Sequence, residues 1–311
     1  MKKLRVLVLM HDYLVPPDDV SGHDLMTVQW KTEYDVTSTL RELGHDVRPL
    51  GIKDDLTIIR RAVEEFKPHI AFNMMENFLE IGAFDHNVVS YLELLRVPYT
   101  GCNPRGLMLS RDKALSKTLL SYHRIPVPEF IVVHVGRKAR RPKRMTFPLI
   151  VKSLTQEASI GISQASVVDD DEKMHERVKF IHTSVGTDAI VERYVEGREL
   201  YVGILGNQRL RVFPVWELHF TKMPDDVHRI ATERVKWSPK YQRKYGITTR
   251  AARLPDEAAA HVQRLCKRVY RTLELSGYAR IDLRMDDSGR PYVIEANPNP
   301  QLAYGEDFAE S

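Results

Sequence analysis

Residues 4–10 read Leu-Arg-Val-Leu-Val-Leu-Met, a stretch apolar on both of its alternating faces and interrupted only by Arg5. A strand of this kind cannot keep one face wet, so it needs cover above and below, as in a parallel sheet with helices on both sides. The next hundred residues supply that cover in order. Tyr34, Val36, Leu40 and Leu43 carry helical spacing over residues 32–43, and Gly44 stops it. Residues 46–50 read as a second strand. Ile58, Ile59, Ala62, Val63 and Phe66 give residues 56–66 one apolar face. Residues 70–74 predict a third strand, 88–95 a further helix and 98–100 a short fourth strand. Alternation of this order implies a small parallel α/β layer. No GxGxxG follows the first strand, so a dinucleotide fold is unsupported.

At 311 residues the chain is long enough for about two domains at ~150 residues each. Hydrophobic residues at 43% and charged residues at 28% exclude a disordered or fibrous chain. No apolar run reaches the ~20 residues of a membrane span. The N-terminus has no secretory core, and Cys102 and Cys266 are too few to staple the chain, so a cytoplasmic protein is expected. A net charge of +4 suits an anionic ligand and is too weak to argue for nucleic acid. Beyond Gly101 the pattern changes. Residues 107–123 read as one helix, broken by Pro126 and Pro128. Strands are expected over 129–135, 148–153 and 163–168, then a helix over 172–184 with the stripe Met174, Val178 and Ile181. Residues 189–194, 199–205 and 210–218 are spaced as antiparallel strands. Residues 225–250 read as a long polar loop of the kind that covers a site. Residues 255–275 form the clearest helix, with Val262, Leu265, Cys266, Val269 and Leu273 facing inward.

The last two strands, 280–285 and 292–296, close around Asp286-Asp287-Ser288-Gly289 as a hairpin. Strand alternation puts Arg280 and Asp282 on one face, and Glu295 and Asn297 on the matching face of the partner strand. Two carboxylates and an amide oxygen are hard ligands suited to Mg²⁺; a cross-strand ion pair with Arg280 is the competing structural account. Lys152 ends a buried strand and Lys113 begins a helix. A buried ammonium is costly unless it meets phosphate oxygens, although a lysine at a strand end also snorkels to water. Ala158, Ser159 and Gly161 form a small-residue turn able to offer backbone amides to phosphates. The segment Ile-Val-Glu-Arg-Tyr-Val-Glu-Gly-Arg-Glu-Leu over 190–200 places Glu192 and Glu199 about a turn at Gly197, either a nucleotide hinge or an ordinary hairpin. The basic run 137–144 lacks aromatic residues for base stacking, the histidines show no zinc spacing, and no GxSxG surrounds a serine.

Taken in order, VPYTG (97–101), SRDKALSK (110–117), FPLIVKS (147–153), the serine–glycine turn, IVERYVEGREL, VKW (235–237), GYARIDLRM (277–285) and YVIEANPNP (292–300) resemble the ATP-grasp superfamily, in its D-alanine–D-alanine ligase-like branch. The resemblance covers the chain from about residue 97 and the earlier part in architecture alone. It implies an α/β (α+β) chain in three parts: an N-terminal α/β domain (1–108), a central ATP-grasp subdomain (109–188) and a C-terminal one carrying the metal site (189–311). It implies that Lys113, Lys152 and the turn at Ser159 meet ATP phosphates, that Glu192, Arg193, Tyr194 and Val195 meet adenine, and that Glu199 meets ribose. Lys236 would reach the γ-phosphate from the closing loop. Asp282, Glu295 and Asn297 would hold two Mg²⁺ ions, with Mn²⁺ as a substitute, and Arg280 would steady the oxyanion. The implied activity is an ADP-forming carboxylate–amine ligase acting through an acyl phosphate on small-molecule substrates, as a homodimer, with neither nucleic acid nor membrane as partner. Two other readings remain at this point: a ligase that extends a peptide or protein tail, and an ATP-binding module without catalysis.

The departures bear on the substrate. The family's Glu-Arg-Glu-Val-Ser segment has no counterpart between His11 and Asp24, and its His-Gly segment is replaced by FNMMENFLEIG (72–82). A glycine of the phosphate turn corresponds to Glu157, and the Ser-Leu pair that receives the second substrate's carboxylate corresponds to Glu306 and Asp307. Two acids there should repel a free α-carboxylate, so D-alanyl-D-alanine is not the expected main product. Asp12, Asn73, Glu76, Glu306 and Asp307 are the candidate substrate contacts. The chain ends at Ser311, where family members continue into a helix, which implies a chain cut short.

Overall fold

The computed structural model describes residues 2–25 and 27–311. The N-terminal layer contains β1 (Arg5–His11), α1 (Lys31–Glu42), β2 (Asp46–Ile52), α2 (Thr57–Phe66), β3 (Ile70–Asn73) and α3 (Asp85–Leu94). The sheet order is β2-β1-β3, with β1 parallel to both neighbours. Leu7 and Leu9 pack with Ile59, Val88 and Leu92 on one side, while Val6, Val8 and Met10 pack with Leu40 and Val47 on the other. The first strand is thus covered twice, as its composition requires. The fourth strand expected over 98–100 is a single parallel bridge from Ala71 to Tyr99. Val97 turns into the core and Gly101 bends the chain away, which leaves too short a run for a ladder.

The helix expected over 107–123 is two helices, α4 (Pro104–Arg111) and α5 (Lys113–Tyr122). Asp112 causes the break: its side chain accepts the amides of Ala114 and Leu115, so it caps a new helix instead of continuing the old one. Lys113 therefore stands in a first turn, near the sheets.

β4 (Phe130–Val133), β5 (Leu149–Ser153), β6 (Val167–Val168) and β7 (Ala189–Arg193) form a sheet in the order β4-β7-β5-β6, covered by α6 (Asp171–Phe180). Met174, Val178 and Ile181 pack on Leu149, Val151 and Val191. The strand expected over 163–168 shrinks to β6, because Ser163 and Ser166 cap a 3-10 turn through each other's side chains. β7 pairs with β4 and β5, so the strand that begins at Ala189 lies in this sheet.

The second antiparallel sheet has the order β10-β9-β8-β11-β12, made of β8 (Arg198–Leu205), β9 (Arg211–Phe220), β10 (Ile247–Ala251), β11 (Tyr278–Met285) and β12 (Pro291–Asn297). Its core face is closed by α9 (Asp256–Thr272), which buries Val262, Leu265, Cys266 and Val269. The long loop expected over 225–250 is instead built of α7 (Glu233–Trp237), α8 (Pro239–Tyr245) and the start of β10. Thr232 and Ser238 cap these short helices, and Val235, Tyr241 and Tyr245 pack against Trp216 and Phe220, so a polar sequence still gains a small core. A last turn, α10 (Asp307–Glu310), ends the chain. Gly197, at φ +126°, links β7 to β8; a Cβ there would stand 2.1 Å from the Met285 carbonyl oxygen, so only glycine lets the two sheets meet this closely. Both cysteines are buried and unpaired. Among the described residues no helix is long and apolar enough to cross a membrane.

Candidate active site

The β11–β12 register sets Asp282 opposite Glu295 and Arg280 opposite Asn297. A register shift follows Asp282, so Ile294 is bulged out of the ladder beside Glu295. Arg280 clamps Asp282 through Nε (2.7 Å) and Nη2 (2.9 Å) and reaches Asp307 through Nη1 (3.0 and 3.1 Å). Of its five N–H groups, Nε and one on Nη2 are taken by Asp282, and Nη1 is directed at Asp307. Burial pushes the Asp282 carboxyl up to about 6, against the pull of Arg280 and with the Glu295 charge adding to the rise. Burial opposes ionisation of Glu295 too, but Lys113, Lys236, Lys152 and Lys117 outweigh it and bring that carboxyl to about 2. The donor set fits Mg²⁺. Two opposed carboxylates share a face with an amide oxygen, each Asp282 oxygen keeps a lone pair beyond its Arg280 bond, and Glu295 stays ionised.

A group of lysines stands beside this pair. Lys113 donates to the Gln156 carbonyl at 2.6 Å and lies 3.8 Å from Glu295. One turn along α5, Lys117 is 1% exposed; it donates to the carbonyl of the bulged Ile294 and lies 3.4 Å from Glu192. Lys152 meets Glu192 from the other side at 2.9 Å. Burial lowers the Lys117 ammonium to about 8, and it lowers that of Lys113 as well. The Glu192 carboxyl moves below its usual range, since Lys117 and Lys152 overcome its burial. Its side chain is therefore the counter-ion of two lysines. With Lys236 facing the same place, four ammonium groups act on Glu295, beside Glu192 and the Arg280-bound Asp282. The excess of positive charge is what a buried polyphosphate would neutralise.

Lys152, Ser159, Glu192, Arg193, Tyr194, Val195, Glu199, Lys236, Asp282 and Glu295, all singled out in the sequence, line one cavity of about 70 Å³. Ser159 donates to the Ala231 carbonyl at 2.7 Å and Trp237 donates to the Ala158 carbonyl at 3.1 Å, so the small-residue turn and the α7 segment are closed on each other. Glu199 accepts from Tyr201 (2.9 Å) and from Arg284 (3.1 Å). Lys113, Arg280, Asn297, Glu306 and Asp307 line an adjoining chamber of about 470 Å³, which Lys236 and Glu295 share with the first cavity. A third cavity of about 230 Å³ holds Asn73 and Glu76 together with His11, Glu33 and Trp237. Asp12 lines none of these three. Glu157 does not cradle a phosphate turn as a glycine would; its carboxylate pairs with Arg111 at 2.9 Å.

Four residues escaped the sequence reading. Lys117 follows Lys113 by four positions, hence on the same helix face. Arg284 continues the alternation of Arg280 and Asp282, and it bonds Glu199 and the carbonyls of Gly197 and Arg229. Arg111 gave no local signal, because its partners Asp85 and Glu157 lie far along the chain, and Glu33 gave none, because what marks it is burial without an ion-pair partner among the described residues. Burial raises the carboxyls of Glu33 and Glu76 to about 7, those of Glu157 and Asp307 adding to the rise at Glu76 and Glu306 respectively.

The family model described as "D-ala D-ala ligase C-terminus" matches residues 119–309. The chain is 32% identical over 278 residues to "Uncharacterized protein y4sG" of Sinorhizobium fredii, covering 86% of this chain and 78% of that one. It is 30% identical over 271 residues to the D-alanine–D-alanine ligase of Desulforudis audaxviator, covering 86% and 82%. The crystal structure of D-alanine–D-alanine ligase from Bacillus anthracis complexed with ATP superposes with a TM-score of 0.75 at 21% identity, over 99% of this chain and 90% of that one. At that identity the likeness concerns the fold.

Proposed function

This chain belongs to the D-alanine–D-alanine ligase family of ATP-dependent ligases, and on that premise we propose that it is an ADP-forming ligase joining a small carboxylic acid to an amine. The observation that carries the reading is the in-register opposition of Asp282 and Glu295 where the lysine-lined cavity opens into the larger chamber. In this reading Lys113, Lys117, Lys152 and Lys236 hold the polyphosphate, Glu192–Val195 line the base subsite and Glu199, fixed by Arg284 and Tyr201, takes the ribose hydroxyls. Asp282, Glu295 and Asn297 would hold Mg²⁺, which supplies charge neutralisation to the transferring phosphoryl group.

The carboxylate attacks the γ-phosphorus and ADP leaves; the amine then attacks the acyl carbon, loses a proton, and phosphate leaves. The lysines keep phosphate charge balanced in both steps. The closed contact of Trp237 and Ser159 with their partner carbonyls keeps water from the acyl phosphate. Arg280 contributes to the oxyanion through the Nη2 hydrogen that Asp282 leaves free and otherwise orients Asp282. The test is ADP and phosphate release from ATP with Mg²⁺ and hydroxylamine across a panel of D- and L-amino acids and simple carboxylic acids. Hydroxamate formation with at least one acid is the expected result. A protein that binds ATP and forms no hydroxamate with any of them would refute the reading.

A further inference from the structure

The chamber that Glu295 and Asn297 line is also lined by the segment Gly305, Glu306 and Asp307. If the chain is the ligase proposed above, the amine must approach through this space, since the other side of Glu295 is the nucleotide cavity. An amino acid used as acceptor would bring a carboxylate with it, and that group needs a cation. Three cations line the chamber: Lys113, Lys236 and Arg280. Lys113 and Lys236 act on Glu295 at the nucleotide end. Arg280 is the lining cation beside Asp307, and it is already taken; Lys31, outside the lining, also acts on Glu306 but is held by Asp35 at 2.8 Å and the Tyr304 carbonyl at 2.9 Å.

Asp282 holds its Nε and Nη2, and Asp307 holds Nη1 through both carboxylate oxygens at 3.0 and 3.1 Å. The plane of the guanidinium lies over the Tyr201 ring at 4.6 Å. Asp307 is itself enclosed, with its side chain 10% exposed, so this is a fixed pair and not a loose surface contact. Beside it Glu306 is exposed and has no ion-pair partner among the described residues. Thr248, Thr249 and Gln301, which also line the chamber, are neutral. The protein has placed its own carboxylate where the cation would receive one from a substrate. An incoming carboxylate would meet two acids and no free positive charge, whereas an ammonium group without one would meet attraction.

We propose that the acceptor is an amine with no carboxylate beside it, its carboxyl absent or amidated, and that Asp307 sets this preference by serving as the internal counter-ion of Arg280. The proposal rests on the ligase reading and narrows its second substrate.

Alaninamide and alanine differ in the feature at issue, and both enantiomers of each serve as probes. Their binding to the full chain, loaded with Mg²⁺ and a non-hydrolysable ATP analogue, is measured by saturation-transfer NMR. The expected result is saturable binding of alaninamide that weakens at least tenfold in Asp307→Asn, while alanine binds no more weakly, or more tightly, in that variant. Glu306→Gln, which keeps the Asp307–Arg280 pair, should weaken alaninamide by less. Three outcomes overturn the proposal: alaninamide binding that ignores Asp307→Asn in a folded variant, alanine losing as much affinity as alaninamide, or no alaninamide binding in a wild-type chain that binds the analogue. Failure of the analogue itself to bind would overturn the ligase reading, and the acceptor assignment with it.

Discussion

Replacing Glu33 with Gln should make the protein more stable at alkaline pH while changing little at acid pH. Glu33 lies on α1 with 6% of its surface exposed, and burial raises its carboxyl from 4.5 to about 7. No described cation forms an ion pair with it. A carboxyl whose folded value lies above its unfolded one binds more protons in the folded state, so stability falls as pH rises between the two values. A displacement of roughly 2.5 units corresponds to about 3 kcal/mol in full. Integration of the linkage relation assigns about 2.5 kcal/mol of this to the interval between pH 5 and pH 8. Glutamine keeps the shape and never ionises, at the cost of roughly 1 kcal/mol for an imperfectly bonded amide, the same at every pH. The charge on Glu33 also raises Glu76, so the substitution relieves a second group in the same direction. Urea unfolding of wild type and Glu33→Gln at pH 5 and pH 8 gives four free energies. Their double difference should favour the variant at pH 8 by about 2 kcal/mol or more. A double difference near zero would show that Glu33 is not held uncharged in this pocket, and the reasoning would fail.

Two further predictions concern the proposed polyphosphate site. Lys117→Met removes one of four ammonium groups, so affinity for ATP, measured by calorimetry with Mg²⁺, should fall at least tenfold. In the wild type that affinity should also decline as pH rises above about 8, where the Lys117 ammonium discharges, and the variant should lack this part of the pH profile. Glu295→Gln removes the carboxylate that the lysines keep ionised, so the Mg²⁺ concentration for half-maximal phosphate release should rise and maximal turnover should fall at least a hundredfold; unchanged Mg²⁺ dependence would exclude Glu295 as a ligand.

Much of the architecture was legible because it follows from local pattern. A run apolar on both faces had to become the central strand, and the stripe at 262–273 had to face a sheet. Alternation alone placed Arg280, Asp282, Glu295 and Asn297 on one face of a hairpin, and the observed register sets them in opposed pairs. Extending the same two rules by one step would have found Arg284 and Lys117. Capping was the part under-read. Asp112, Thr232 and Ser238 each divert backbone amides into a new helix, and a scan for apolar periodicity passes over such signals in polar sequence.

What sequence could not supply is the identity of the partner in each ion pair, and for a buried charge the partner decides the chemistry. Lys152 at the end of a strand reads equally as a phosphate ligand or a snorkelling side chain until Glu192, 40 positions later, is found against it. Arg280 reads as an oxyanion donor, and Asp307, found against its Nη1 side, narrows what is left of the guanidinium for that role. Glu157 reads as a lost glycine until Arg111 is found to claim it, in a pair that fastens the small-residue turn to α4 and, through Asp85, to α3. In each case the residue type states a charge, and desolvation demands that some group answer it. Glu33, buried with no ion-pair partner among the described residues, lines the cavity it shares with His11 and Asn73, and the exposed acids Glu76 and Glu306 line the two larger cavities as well. In the reading proposed above, the lysine-lined end of the site suits an anion and the acid-lined end a cation, a separation of charge that chain order conceals and folding creates.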